Sequence, residues 1–231
     1  MLHIYQNPSA ITAALAEWIT YTIETVLQTQ DRFTWVLTGG NSPKALYDML
    51  AESPYKERIA WNKLHIFWGD ERAVPFSDDR NNAKMTFDHL LNKVPVNPEQ
   101  VHVMRTDIEP EQSALEYQNS FDLVLSGMGD DGHTLSLFPG TEVIHETKDW
   151  VKAFYLTAQQ MYRITLTAPV VNRASSVVFL TFGANIAKAL YEVLEGEPNA
   201  DIYPSQIIQP ASGKLHWFVD EPAAALLDKK A

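Results

Sequence analysis

The chain of 231 residues contains no cysteine. This absence excludes a disulfide framework, a cysteine nucleophile and thiolate ligands for a metal. The chain also lacks a run of about 18 apolar residues, and its N-terminus has no basic segment followed by an apolar core. We therefore expect neither a membrane span nor a signal peptide, and we predict a cytoplasmic protein.

Positive charge is scarce as well: 18 Lys and Arg residues stand against 29 Asp and Glu residues, which gives a net charge of −11. Nucleic acids and anionic membranes bind cationic surfaces, so we exclude both as the main partner. A small anionic ligand would need a few well-placed cations instead. The length and the 45% hydrophobic content predict one domain over residues 1–231. We expect a monomer or a weak homo-oligomer.

Short apolar runs, typical of buried strands, alternate with helical segments along the chain. The predicted strands are 33–37, 64–68, 101–104, 121–125, 150–156, 163–166, 177–181 and 215–219. The predicted helices are 8–27, 43–51, 82–91, 110–120, 186–194 and 222–229. Such alternation predicts an α/β fold, a three-layer αβα sandwich with a mostly parallel, doubly wound sheet.

Four polar loops that contain glycine follow predicted strands of that sheet. They comprise residues 38–42, 69–72, 126–133 and 182–185. Since the carboxyl ends of parallel strands share one edge, we expect these loops to meet there and form a ligand crevice.

The segment SGMGDDGHTLSLFPG, residues 126–140, is the most informative of the chain. Its glycines allow tight turns, and Asp131-Gly132 presents His133 at the surface of the turn. A serine nucleophile at Ser126 is not indicated, because Val124 stands where the G-x-S-x-G elbow needs glycine. The histidines lack paired metal-ligand spacing, so no metal site is predicted. We interpret His133 as an acid or base; the alternative is a solvated turn histidine.

Three segments are candidates for binding an anion. Gly39-Gly40-Asn41-Ser42 precedes a helix, whose free N–H groups favour phosphate, although the run is neither a Walker A nor a GxGxxG motif. Lys188 lies in the first turn of a helix, where the dipole disfavours a cation unless an anion is near. Arg163 can fork onto phosphate or carboxylate oxygens. A capped turn, a surface lysine and a strand-end arginine are the respective alternatives.

The triplet Asp70-Glu71-Arg72 follows another predicted buried strand. Arg72 can orient a carbonyl group or stabilise an oxyanion, and Asp70 can orient His133 or a water molecule. The alternative is a salt-bridged turn. Together the loops favour a histidine that acts as acid or base on a phosphorylated small molecule.

The residues of these loops resemble those of the 6-phosphogluconolactonases. Residues 127–140 are similar to the family's G-M-G-x-D-G-H-T-A-S-L-F-P-G signature, with Leu135 in place of alanine. Further similar segments follow the family's order: residues 38–43, 70–75, 163–167 and 183–188. The sister family of glucosamine-6-phosphate deaminases and isomerases typically carries asparagine where Asp131 stands and isoleucine where Thr134 stands. The lactonase resemblance is therefore the stronger one.

This resemblance implies hydrolysis of 6-phospho-D-glucono-1,5-lactone to 6-phosphogluconate in the oxidative pentose phosphate pathway, without metal or organic cofactor. His133 would take a proton from water and return it to the leaving ring oxygen. Arg72 and the backbone N–H groups of Gly127 and Gly129 would stabilise the oxyanion, and either Asp131 or Asp70 would orient the histidine. The alternatives are a glucosamine-6-phosphate deaminase-like isomerase and a sugar-phosphate-binding regulator without catalysis.

Overall fold

The computed structural model describes residues 1–117 and 121–228. Its main sheet has six strands in the order β1-β9-β8-β5-β2-β3, and every neighbouring pair is parallel. A second sheet has three antiparallel strands in the order β4-β7-β6. The strands are β1 Leu2–Tyr5, β2 Phe33–Leu37, β3 Leu64–Trp68, β4 Asp70–Arg72, β5 Leu123–Ser126, β6 Val151–Leu156, β7 Met161–Leu166, β8 Ser176–Leu180 and β9 Leu215–Asp220.

Helices connect most of the strands of the main sheet. They are α1 Pro8–Val26, α2 Lys44–Leu50, α3 Tyr55–Arg58, α4 Asn82–His89, α5 Pro110–Glu116, α6 Ala168–Val171 and α7 Ala187–Leu194. Asn7 caps α1 as its sequence predicts, because its side chain accepts a hydrogen bond from the N–H of Ala10. Within residues 1–117 and 121–228, no helix is both long and apolar enough to cross a membrane.

The main sheet separates two apolar cores, because successive residues of a strand point to opposite faces. In β2, Trp35 and Leu37 belong to one core and Val36 to the other. In β5, Leu125 belongs to the same core as Trp35, and Val124 belongs to the same core as Val36. Helices cover both faces of these doubly buried strands, so the predicted αβα sandwich with a mostly parallel sheet is confirmed.

The small sheet corrects the predicted arrangement of two strands. Residues 150–156 and 163–166 do form strands, as β6 and β7, but they pair antiparallel and lie outside the main sheet. The connection Thr157–Gln160 is too short for a parallel crossover, which needs about a dozen residues or more. Asp70–Arg72, expected as a loop, is strand β4 and pairs with β7.

Other predicted elements differ at the ends of the chain and at the edge of the sheet. Residues 101–104 form only an isolated bridge, from Val101 to Ile66, so the predicted strand there is wrong. Residues 221–227 form turns rather than a helix, and residue 229 lies outside the described residues. Helix α5 ends at Glu116, and residues 118–120 lie outside the described residues as well. Strand β1 was not foreseen.

At the β1 edge, the ring atoms His3 Nε2 and His216 Nδ1 lie 3.1 Å apart. His216 is 5% exposed, and its burial, aided by the nearby charges of His3, the N-terminus and Lys214, lowers its pKa to about 4. Folding therefore favours the neutral imidazole of His216.

We expect the free energy of unfolding to decrease as the pH falls from about 6.5 to about 4. A histidine whose pKa is lowered by folding stabilises the protein fully at pH values above its unfolded-state pKa. This stabilisation is lost as the pH falls to the folded-state pKa, and for His216 it amounts to about 3 kcal/mol. When urea unfolding is measured at several pH values, the free energy of unfolding of His216→Asn should depend less steeply on pH than that of the wild type. The exposed His145 is the control, and His145→Asn should keep the wild-type slope. Equal slopes for all three proteins would contradict this assignment.

Candidate active site

A cleft of about 260 Å³ opens at the carboxyl edge of the main sheet. Its walls come from the segments that follow β2, β3 and β5 and from the β6–β7 hairpin. The residues that line it are Thr38, Gly39, Gly40, Asn41, Ser42, Pro43, Asp70, Arg72, Asn82, Gly127, Met128, Gly129, His133, Leu135, Phe138, Gln159, Arg163 and Leu180. The expected crevice therefore exists, and three of the four predicted loops contribute to it.

The loop that carries His133 is closed by backbone hydrogen bonds. The N–H of Gly129 donates to the carbonyl of His133 at 2.9 Å, and the N–H of Gly132 donates to the carbonyl of Gly129 at 3.0 Å. Gly132 has a φ of +77°, which glycine adopts without the penalty that other residues meet. Ser205 holds the loop from outside, since both its N–H and its hydroxyl donate to the carbonyl of Gly132. The loop shape thus depends on backbone contacts and not on the imidazole.

Asp131 is the carboxylate that contacts His133. Its Oδ1 lies 2.5 Å from the imidazole Nδ1 and also accepts the backbone N–H of His133 at 3.1 Å. Burial by itself raises the pKa of the Asp131 carboxyl, but the hydrogen bonds and charge of His133 outweigh it, and the pKa is lowered overall. An ionised carboxylate only accepts hydrogen bonds, so Nδ1 carries the proton and Nε2 keeps its lone pair. The half-buried imidazole can therefore act as a base in the cleft.

Asp70 lies deeper and contacts other groups. Its carboxylate is 7% exposed and accepts the hydroxyl of Ser136 at 2.6 Å and the side-chain amide of Asn82 at 3.3 Å. The guanidinium of Arg163 lies 3.6 Å away and is itself buried. Burial lowers the pKa of Arg163, although the charge of Asp70 opposes that shift. Asp70 thus supports the floor of the cleft, and Asp131 is the residue placed to orient His133.

Glu71 fixes strand β4 to helix α4. Its buried carboxylate accepts the backbone N–H groups of Arg72, Asn82 and Ala83 at 2.7–2.9 Å. Burial raises the pKa of Glu71 to about 7, and these three donors act in the opposite direction. The neighbouring charge of Asp70 adds to the rise. This contact orders the backbone on either side of Arg72.

Two guanidinium groups bring positive charge to the cleft. Arg72 donates from Nη1 to the carbonyl of Arg80 at 2.7 Å, and Arg163 donates from Nη2 to the side chain of Gln159. The Nε atoms of Arg72 and Arg163 are both buried without a hydrogen-bond partner among the described residues. Buried donors of this kind are costly unless a ligand satisfies them.

The candidate anion loop, residues 39–42, also lines the cleft. Gly39 is required there by packing, because a Cβ atom on it would lie 1.8 Å from Oδ1 of Asn82. Lys188 is exposed and does not line this cleft; it borders a neighbouring depression with Asp130 and Asp131. The structure therefore separates Lys188 from the glycine loop with which it was predicted to act.

The structure corrects the predicted oxyanion site at Gly129. Its N–H already donates to the carbonyl of His133, so it cannot serve an oxyanion, whereas Gly127 lines the cleft and stays a candidate. Sequence reasoning missed several residues of the site: Asn82, Ser136, Phe138 and Gln159. Ser136 and Phe138 lie within the central motif, residues 126–140, and this position in the sequence could have indicated that they belong to the site. Among the described residues, no three side chains of metal-ligand type are grouped.

Comparison with known proteins agrees with these motifs. Residues 6–217 match the family model described as glucosamine-6-phosphate isomerases/6-phosphogluconolactonase. A 6-phosphogluconolactonase of a Nostoc species is 36% identical over 98% of both chains, and one of a Synechocystis species is 37% identical over 89% of both. The crystal structure of 6-phosphogluconolactonase from Thermotoga maritima superposes with a TM-score of 0.84 at 26% identity, covering 95% of this chain and 99% of that one. The chain therefore belongs to the glucosamine-6-phosphate isomerase/6-phosphogluconolactonase family.

Proposed function

We propose that this protein hydrolyses 6-phospho-D-glucono-1,5-lactone to 6-phosphogluconate, as an enzyme of the oxidative pentose phosphate pathway. Its relatives named 6-phosphogluconolactonase match over nearly their whole length. The observation that carries the proposal is the His133–Asp131 pair, which lies in a cleft with two guanidinium groups and a glycine loop. This arrangement supplies a base and an anion site without a covalent nucleophile.

The reaction needs little more than an activated water, because a lactone is an activated ester. Neutral His133 accepts a proton from water at Nε2 as the water oxygen attacks the lactone carbonyl. The imidazolium that forms is stabilised by Asp131, and it then donates the proton to the departing ring oxygen. Arg72 and the backbone N–H of Gly127, two residues that line the cleft, are the proposed donors to the oxyanion.

The phosphate has two candidate partners in the cleft. The loop of residues 39–42 offers backbone N–H groups, and Arg163 offers a charged donor whose Nε has no partner within the described chain. Asp70 offsets part of the charge of Arg163, and the Asp131 carboxylate lies at His133, so the positive charge offered to an anion is confined to the two guanidinium groups. This local charge fits an anionic substrate on a chain whose net charge is −11.

The competing functions are a glucosamine-6-phosphate deaminase-like isomerase and a regulator that binds sugar phosphates. Asp131 and Thr134 stand where the deaminase motif typically has asparagine and isoleucine. Incubation with glucosamine 6-phosphate and, separately, with the phosphorylated lactone distinguishes the three. We expect acid release from the lactone and no ammonia release. Ammonia release would favour the isomerase, and binding without either product would favour the regulator.

We expect Asp131→Asn to move the acid limb of kcat/KM to lower pH. The Asp131 carboxylate, whose own pKa is held below its usual value by its hydrogen bonds with His133, lies 2.5 Å from Nδ1, and its attraction for the imidazolium is lost in the variant. Asp70→Asn should leave the limb in place, because Asp70 contacts Ser136 and Asn82 instead. Since phosphate titrates near pH 6, the profiles need unphosphorylated gluconolactone as control. If the acid limb of kcat/KM stayed at the same pH in Asp131→Asn, the proposed pairing of Asp131 with His133 during catalysis would be excluded.

We expect Arg163→Ala to weaken binding of the phosphorylated lactone by about 1.5–3 kcal/mol, the range for a charge-assisted hydrogen bond. Lys188→Ala should have a smaller effect, because Lys188 lies outside the cleft. The measurement is KM for phosphorylated and unphosphorylated lactone, with thermal melting to confirm that both variants fold. Equal losses of affinity for the two substrates would show that Arg163 does not bind the phosphate group.

The proposal also includes the cellular setting predicted from the sequence. We expect a cytoplasmic enzyme that acts as a monomer or weak homo-oligomer and needs neither metal nor organic cofactor. Sedimentation at micromolar concentration, cell fractionation and assays in the presence of a chelator check these three points separately.

A further inference from the structure

The imidazole of His133 has a second neighbour that the proposed mechanism does not use. The ring of Phe138 stacks on it, with the ring centroids 4.2 Å apart and an interplanar angle of 25°. The guanidinium of Arg163 also packs on Phe138, 5.5 Å from the centroid of its ring. Phe138 thus joins the candidate base to the buried arginine of the cleft.

Asp131 alone does not fix the orientation of the imidazole. Its hydrogen bond lies in the ring plane at Nδ1 and sets the direction of that atom, whereas tilting of the ring about this bond costs little. A stacked aromatic face restricts the tilt, because the two rings lose contact when they separate.

Phe138 is itself held firmly. Its carbonyl accepts both the hydroxyl of Thr141, at 2.6 Å, and the backbone N–H of Thr141, at 3.2 Å. The next residue but one, Gly140, donates its N–H to the carbonyl of Asp201. These bonds fix the backbone that carries the Phe138 ring, and the ring itself packs between the imidazole and the guanidinium of Arg163.

We propose that Phe138 is a positioning residue for His133: its ring holds the imidazole plane for proton transfer and stabilises the imidazolium that forms when water is deprotonated. This inference rests on the proposed lactonase function. The aromatic face attracts the imidazolium more strongly than it attracts the neutral ring, so its effect increases during the reaction. The charged groups around the imidazole are Asp131 at Nδ1, Arg163 on the Phe138 ring, and Asp70 and Arg72 in the same cleft.

The kinetic test replaces the ring while keeping its bulk. Phe138→Leu should lower kcat by about 10- to 100-fold, as expected for a misplaced catalytic group, and by the same factor on phosphorylated and unphosphorylated lactone. Phe138→Tyr keeps the aromatic face and should restore most of the rate. Phe76→Leu, at an exposed phenylalanine outside the cleft, is the control and should match the wild type. If Phe138→Leu does not fold, Phe138→Met offers the same comparison.

A spectroscopic test does not depend on activity. Stacking at 4.2 Å places the His133 ring protons in the shielding region of Phe138, so their NMR resonances should lie upfield and move downfield in Phe138→Leu. His133→Gln assigns them by their disappearance. Unshifted His133 resonances in the wild type would overturn the proposal. So would an active wild type together with a Phe138→Leu variant that has the same kcat. An inactive wild type with shielded resonances would instead refute the lactonase function.

Discussion

The substitution His133→Ala should leave a folded protein whose turnover of phosphorylated lactone is lowered by about 10²- to 10⁴-fold, the range for a positioned acid–base group. The fold should persist because the loop is closed by the backbone bonds of Gly129 and Gly132. Binding should change little, because the anion loop and the guanidinium groups are untouched. The measurement is kcat on freshly generated lactone, corrected for spontaneous hydrolysis.

A matched control is available for this experiment. His145 also pairs with a carboxylate, that of Asp201 at 2.9 Å, but its side chain is 67% exposed and lies outside the cleft. His145→Ala should retain the wild-type rate. If His133→Ala retained it as well, His133 would have no role as acid or base.

The substitution Gly129→Ala should lower activity by about 10²-fold, because displacement of a catalytic group by roughly 1 Å has an effect of this size. A Cβ atom at Gly129 would lie 2.3 Å from Nδ1 of His133 and 2.8 Å from Oδ1 of Asp131. Both distances are far below van der Waals contact, so the His133–Asp131 pair must separate or move.

The readout for Gly129→Ala combines kinetics with binding. We expect kcat to fall while the affinity for 6-phosphogluconate, measured by calorimetry, stays within about 3-fold of the wild-type value, well below the 10-fold change that 1.4 kcal/mol would produce. Circular dichroism should show that the fold is kept. Full activity with an intact fold would mean that the close contact between this glycine and the imidazole is not needed for catalysis.

Five of the six strands of the main sheet were predictable because they are largely buried and therefore appear as short apolar runs; β1, half of whose residues are exposed, does not. Their parallel pairing followed from the helices between them, and it placed His133 and the glycine loop at one edge. The segment 101–104 has a similar run, but it lies beside β3 at the edge of the sheet and forms a single bridge. Only Met104 of this segment is buried and Val103 is exposed, so an apolar run by itself guarantees neither burial nor strand pairing.

The parts of the site that sequence could not predict depend on contacts between distant segments. Ser136 and Asp70 are 66 residues apart, and their hydrogen bond follows from the pairing of β4 with β7. The use of the Gly129 N–H by His133 follows from the path of the loop, which its composition does not specify. Lys188 was expected at the anion site from its place in α7, but its position depends on the turn that precedes the helix.

The central claim is that this protein hydrolyses the phosphorylated lactone, and the most direct test is the rate of that reaction. Fresh 6-phospho-D-glucono-1,5-lactone can be followed by NMR, with and without a catalytic amount of the purified protein, at a pH where spontaneous opening is slow. We predict that the lactone signals disappear many times faster with the protein present and that 6-phosphogluconate is the product formed. A rate equal to the spontaneous one would contradict the proposed function.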